Sequence, residues 1–318
     1  MEDKIRLGVS SCLLGNLVRF DGGHQHDRYI TGTLGNYVDF VPVCPEVECG
    51  MSIPREAMRL VGEAESPRLV TSRSNVDMTD QMLSWIPQEL EKLEAEDLDG
   101  FIFKNRSPSS GMERVKVYPA SGKGMAEKKG VGIFARAFME HFPNLPVEED
   151  GRLHDLILRE NFIERIFVHR RWRRLLAEKK TVGGLVEFHT RHKLLIMAHG
   201  EKIYREMGPL VAKAKQIPAD ELYQRYEQLL MSALKLRCTL KNHSNVLMHL
   251  LGYFKKNLSA DEKQEVLEII DQYRAGLVPL IVPITLINHY VRKYNQEYLA
   301  EQYYLNPHPI ELKLRNHA

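Results

Sequence analysis

Four cysteines and two tryptophans are all that 318 residues contain of the two scarcest side chains. Cys12 and Cys238 stand alone, while Cys44 and Cys49 lie five apart in "VCPEVECG", so no framework of paired half-cystines suggests itself. Long apolar runs are missing too. The longest, "LVPLIVPITLI" at 277–287, is interrupted by Pro279 and Pro283 and is too short for a bilayer. The polar opening "MEDKIRLG" has no apolar core of a secretory signal. These absences lead us to expect a cytoplasmic protein with no membrane partner. Thiols stay reduced there, and cysteines that cluster are more naturally metal ligands or reactive groups than cross-links.

What is present is an ordinary globular composition, 43% hydrophobic and 27% charged, long enough for two domains. The net charge of +2 hides an asymmetry: residues 1–150 carry 17 basic and 24 acidic side chains, and residues 151–318 carry 27 and 18. The first half is therefore −7 and the second +9. A positive excess confined to one half suits contact with a polyanion, or a match between oppositely charged domains.

The first half alternates strand-like runs, "IRLGVSS" at 5–11, "VDFVPVC" at 38–44 and "GFIFK" at 100–104, with a helical pattern at 79–97. This predicts an α/β N-terminal domain with a mostly parallel sheet, over residues 1–148. The Pro- and acid-rich "FPNLPVEEDGR" at 142–152 suits a linker, and residues 149–318 read as an all-α C-terminal domain. Helices are expected there from "LRENFIERIFVHRRWRRLLAEKK" onward and at about 184–198, 220–237, 242–256, 261–274 and 284–304.

Each early apolar run ends at unusual chemistry: Cys12, then "CPEVEC", then "NRSPSSG". Ligands of open α/β sheets bind beyond the carboxyl ends of the strands, so the three endings are expected at one site. Cys12, Cys44 and Cys49 are candidate metal ligands. His24 or His26 could complete a closed zinc site, whereas three thiols alone leave one coordination position open. Glu46 sits between two thiols, where it could position or deprotonate a water. Glu48 reads as a solvated loop carboxylate, "SPSSG" as a hydroxyl-rich turn or helix cap, and Cys238 as a core residue on a helix. The glycines and lysines at 121–136 lack the spacing of a phosphate loop.

The segments "SSCLLG", "VRFDGG", "CPEVECG", "GFIFKNRSPSSGMERVKVY" and "KKGVGIFA" resemble the thiouracil desulfidase family (DUF523), and the second half resembles the helical DUF1722 domain fused to it. The combination is similar to the fused type associated with removing sulfur from 4-thiouridine in tRNA. The resemblance implies a 4Fe-4S cluster with three cysteine ligands and one open iron that binds the thiocarbonyl sulfur, Glu46 as catalytic base and Ser107 as its helper. Single-domain relatives place the third cysteine in a motif similar to "SPSCG". This chain has Ser110 there, which leaves Cys49 as the replacement beside Cys12 and Cys44. The expected partners are thiolated tRNA or small thiopyrimidines. The alternatives are a desulfidase of free thiouracil or thionucleosides and a non-enzymatic structural-metal or redox-sensing protein. For tRNA binding the basic candidates are Arg170, Arg171, Arg173 and Arg174, then Lys235, Arg237, Lys241, Lys255 and Lys256, all of which also suit solvated helix faces.

Overall fold

The structure, a computed structural model, describes residues 4–121 and 124–316. It divides into two compact units between Asp155 and Leu156. The strands of the first unit are β1 (Ile5–Ser10), β2 (Val38–Val43), β3 (Met58–Val61), β4 (Arg68–Thr71), β5 (Gly100–Phe103), β6 (Val115–Tyr118), β7 (Glu127–Gly130) and β8 (Val147–Glu149). Its helices are α1 (Pro45–Glu48), α2 (Thr79–Ala95) and α3 (Ile133–His141).

The main sheet runs β2-β1-β5-β8 and is parallel throughout. Leu7 and Val9 of β1 and Phe101, Ile102 and Phe103 of β5 are buried, the near-continuous apolar reading of strands covered on both faces. Helix α2 buries Met82, Ile86, Leu90 and Leu93, spaced at helical period, in the same core as Phe134 and Phe138 of α3. A second sheet, β4-β3-β6-β7, escaped the sequence reading. Its strands have four residues each, and β7 is "EKKG" with three exposed charged side chains, so no apolar alternation marks it.

The stretch 142–152, expected as a linker, contains β8, the edge strand of the main sheet, with Glu148, Glu149 and Asp150 buried. Its carboxylates are internal ligands. Glu149 Oε1 accepts from Met112 N at 2.7 Å, and Asp150 receives Lys104 Nζ and Asn105 N at 2.8 and 2.6 Å.

The second unit is helical: α4 (Leu156–Glu178), α5 (Val182–His199), α6 (Glu201–Ala212), α7 (Ala219–Lys235), α8 (Leu240–Tyr253), α9 (Ala260–Arg274), α10 (Ile281–Lys293) and α11 (Glu297–Ala300). Thr181 and Thr239 cap α5 and α8, and Ser259 with Glu262 forms a capping box on α9. The single helix expected at 284–304 is broken where Asn295 takes φ 47°, a left-handed turn that separates α10 from α11. Cys238, expected on a helix, lies in the loop between α7 and α8. Among the described residues, no helix is long and apolar enough to cross a membrane.

Candidate active site

The carboxyl ends of β1, β2 and β5 open on a cavity of ≈ 390 Å³. Cys12 reaches it from the 3-10 turn Ser11–Leu14 that follows β1. Cys44 follows β2 and precedes α1, with Pro45 at the first helical position, where a missing N–H costs nothing. Cys49 follows the last residue of the same one-turn helix. Ser107, Pro108 and Ser110 line the cavity from the loop after β5, together with Lys104 and Asn105.

Cys12 and Cys44 stand in the cavity wall, as does Ser110, whereas Cys49 is not among the lining residues. Its Sγ lies 3.3 Å from the Glu46 carbonyl oxygen, and it packs against the α/β core. The expected histidines are elsewhere. His24 and His26 are exposed, and His26 Nε2 is 2.8 Å from Thr31 Oγ1; neither lines the cavity, so the closed zinc site is not assembled by these side chains. Groups of three or more Cys, His, Asp or Glu ligand atoms within 4.8 Å occur among the described residues only in the helical unit.

Burial pushes all three first-unit thiols up, Cys12 and Cys49 to about 11 and Cys44 to about 12, and the Glu46 carboxylate pushes each further in the same direction. Lys104 and Arg19 oppose this at Cys12, and Arg55 does so at Cys44 and Cys49. One carboxylate and these cations therefore act on three thiols, two at the ends of neighbouring strands and one at the end of α1.

Glu46 is the centre of the polar wall. Its Oε2 lies 3.6 Å from Cys44 Sγ and 3.8 Å from Arg55 Nη2, and its Oε1 accepts from Ser109 Oγ at 2.5 Å. Ser109 in turn lies 2.9 Å from Ser107 Oγ. Ser107 Oγ already accepts the N–H groups of Ser109 and Ser110, at 3.3 and 3.1 Å, so its own hydrogen is the one available to Ser109. A directed chain results, Ser107 to Ser109 to Glu46. Ser109 is fully buried and was not singled out in the sequence, where it was one of three similar hydroxyls in "SPSSG". Arg55 was missed too; nothing in its local sequence signals that it reaches Glu46 and, at 3.0 Å, the Val18 carbonyl.

The serine loop is fixed by close backbone packing. Gly132 N donates to Gly111 O at 2.8 Å and Ala135 N to Ser109 O at 3.1 Å, which seats the loop on the start of α3. A Cβ on Gly132 would stand 2.4 Å from Ser109 O, and one on Gly111 2.7 Å from Ser107 O. This gives Gly132 of "KKGVGIFA" a packing role in place of phosphate binding. Glu48 is exposed, as expected, and it also caps the start of α1, its Oε1 accepting from Cys44 N at 2.6 Å. Arg19 and Asp21 form an ion pair at 3.5 Å.

The basic candidates of the helical unit separate into two kinds. Arg171 is built into the fold: Nε is 3.1 Å from His192 Nε2, Nη1 donates to Pro307 O at 2.9 Å, and the guanidinium lies 3.9 Å from the Tyr303 ring centre. Arg170 and Arg173 are half-buried on the helix that buries Trp172, and Arg174 pairs with Glu178 at 3.0 Å. Lys235, Arg237, Lys241, Lys255 and Lys256 are exposed.

Comparison with known proteins matches residues 7–150 to the family described as 2-thiouracil desulfurase and residues 193–309 to DUF1722, a family of unknown function. The uncharacterized protein YbgA of Escherichia coli (strain K12) is 36% identical over 153 residues, which span 48% of this chain and 90% of that protein. Among solved structures, a [4Fe-4S]-dependent thiouracil desulfidase, TudS, is 26% identical with a TM-score of 0.39, over 49% of this chain and 97% of the other.

Proposed function

The chain belongs to the 2-thiouracil desulfurase family, in a form joined to a DUF1722 domain, and from that premise we propose a desulfidase that converts 4-thiouridine in tRNA to uridine with release of hydrosulfide. The observation that carries this reading is the Ser107–Ser109–Glu46 chain ending beside Cys12 and Cys44 in the cavity at the strand ends. The overall change is hydrolytic. Water supplies the oxygen that replaces sulfur on the ring carbon, hydrosulfide leaves, and no electrons are gained or lost.

Iron–sulfur clusters are held by thiolates, and we assign Cys12, Cys44 and Cys49 to a 4Fe-4S cluster. The donor chemistry fits: two thiols stand in the wall, and the third closes the same turn of α1. Ser110, which lines the wall at the position of the single-domain family's cysteine, offers only a hydroxyl. Bound there, such a cluster would supply a Lewis acid for the thiocarbonyl sulfur.

The chain's own residues do the rest. Glu46 accepts the proton of the attacking water, since its Oε2 is turned toward Cys44 while Ser109 holds Oε1. Ser107 holds Ser109, and Ser109 donates to Oε1, so the two hydroxyls orient the carboxylate that takes the proton. Lys104 and Arg55 are cations in the cavity wall that would stabilise the departing hydrosulfide. The volume suits one pyrimidine, whether free or turned out of a nucleic acid strand. The tRNA reading rests on the +9 balance of residues 151–318 and the exposed Lys241, Lys255 and Lys256.

The test is to incubate anaerobically reconstituted protein with thiolated tRNA and, separately, with free thiouridine and thiouracil, then quantify the remaining thionucleoside and the hydrosulfide released. Preferential turnover of the tRNA is expected. Turnover of free thiobase alone would assign the free-base reaction, and no hydrosulfide from any of the three would overturn the enzyme reading.

A further inference from the structure

The helical unit has a cavity of its own, ≈ 320 Å³, that the desulfidase reading does not use. Among the elements that line it, four bring the groups that matter here. Helix α4 contributes Glu160 and Glu164 one turn apart, α5 contributes its last residue His199, the loop before α8 contributes Cys238, and the 3-10 turn Leu314–Asn316 contributes Arg315. His199, Glu164 and Arg315 are at most 4% exposed, so no bulk water balances their charge or hydrogen bonds.

The ring of His199 poses a problem of hydrogen count. Nδ1 lies 2.7 Å from the Leu236 carbonyl oxygen, which can only accept, so Nδ1 carries a hydrogen. Nε2 lies 3.1 Å from Glu164 Oε2. On a neutral imidazole that nitrogen is an acceptor as well, and two buried acceptors face each other unless a proton or a cation lies between them. Arg315 Nη2 donates to Glu164 Oε1 at 2.8 Å, which leaves Oε2 as the oxygen presented to the ring. The Cys238 sulfur completes the group, with one ligand atom from each of Glu164, His199 and Cys238 lying within 4.8 Å of the other two.

Cysteine, histidine and glutamate together can also make a nucleophile with its base. That arrangement needs a ring nitrogen free to take the thiol proton. Here Nδ1 is committed to the Leu236 carbonyl, and Nε2 faces the Glu164 carboxylate while Cys238 interacts with the same ring, so the thiol has no nitrogen to itself. The donors converge on a point and do not run in series, and we propose that Glu164, His199 and Cys238 bind a divalent transition-metal cation. One nitrogen, one sulfur and one carboxylate oxygen are the donor set of zinc, and exclude magnesium and calcium, which take oxygen alone. The Nδ1 bond to a backbone carbonyl is the outer interaction that orients a metal-binding imidazole. Charge closes as well: the carboxylates of Glu160 and Glu164, a Cys238 thiolate, the Arg315 guanidinium and a divalent cation are together neutral. Three protein ligands leave a fourth position for water or a small anionic or thiol ligand, and Thr239, Leu240 and Val278 line the space beside it.

The experiment uses the full-length chain with Cys12→Ala, Cys44→Ala and Cys49→Ala, so that Cys238 is its only thiol, titrated with Co²⁺. We expect one equivalent of cobalt, visible bands of a four-coordinate site and a near-ultraviolet thiolate-to-cobalt band, all displaced by Zn²⁺. Adding Cys238→Ala should remove the thiolate band, and Glu164→Gln, which keeps the shape, should weaken cobalt by more than the roughly 10- to 100-fold typical of an outer partner. Circular dichroism identifies any variant that fails to fold; the zinc content of the unsubstituted chain, compared with Cys238→Ser, then gives the same answer independently. Absence of bound cobalt, or a spectrum unchanged by Cys238→Ala, would overturn the site and leave a buried imidazolium–carboxylate pair.

Discussion

Glu46 is the residue on which the first unit's chemistry turns, because Ser109 fixes one of its oxygens and Cys44 and Arg55 flank the other. Glu46→Gln keeps the size and the Ser109 hydrogen bond but cannot take a proton, so turnover should fall by roughly 10² to 10⁴. Single-turnover decay of thiouridine absorbance reads this, and near-normal rates would remove Glu46 as the base. Ser109→Ala should cost less, since water can substitute for a hydroxyl. Among the possible third ligands, Cys49→Ala should bleach the anaerobically reconstituted protein while Ser110→Ala leaves it coloured; the reverse result would move the ligand to the serine loop. The thiols and Glu46 were legible in the sequence because their side-chain types are scarce or chemically placed. Ser109 was not, because which of three neighbouring hydroxyls meets Glu46 is decided by how the loop seats on α3.

At the scale of elements, the serine loop depends on a backbone approach that only glycine allows. Gly132→Ala would put a methyl 2.4 Å from Ser109 O. We expect a loss of about 1–3 kcal/mol in unfolding free energy, as for other overpacked sites, with a larger fall in activity than in stability. Equal activity in a stable variant would show that the loop can move without consequence. In α5, His189 is buried with Nδ1 3.1 Å from Tyr226 Oη, and burial pulls its pKa down to about 4. The unfolded chain, near 6.5, binds that proton earlier than the folded one, so stability is complete above about pH 6.5 and falls as the pH drops toward 4. At about 1.4 kcal/mol per pH unit the loss is on the order of 3 kcal/mol. Urea unfolding followed by Trp172 fluorescence in a Trp85→Phe chain measures it, and His189→Gln should flatten the profile between pH 6.5 and 4. An unchanged slope would show that another group dominates.

For the whole molecule the opposed charges of the two halves, −7 and +9, bear on what each half meets. If the helical unit receives tRNA, binding should weaken steeply with salt. Lys255→Glu with Lys256→Glu should lower affinity for tRNA and reduce the salt slope by about 2 in logarithmic units, one for each phosphate that a lysine would otherwise neutralise. Turnover of free thiouridine should stay unchanged, and a parallel fall on both substrates would count against an RNA surface. The sequence by itself determined the two-part architecture, the parallel strands and the endings that bear Cys12, Cys44 and Ser107, because apolar period and rare residue types are local properties. Only the tertiary structure decided that residues 142–152 contain an edge strand, that Arg171 is an internal support, and that Cys238 shares a pocket with the buried His199 and Glu164. Those outcomes depend on which side chains, distant along the chain, are brought within a few ångströms of each other when the core closes, and no local pattern encodes that distance.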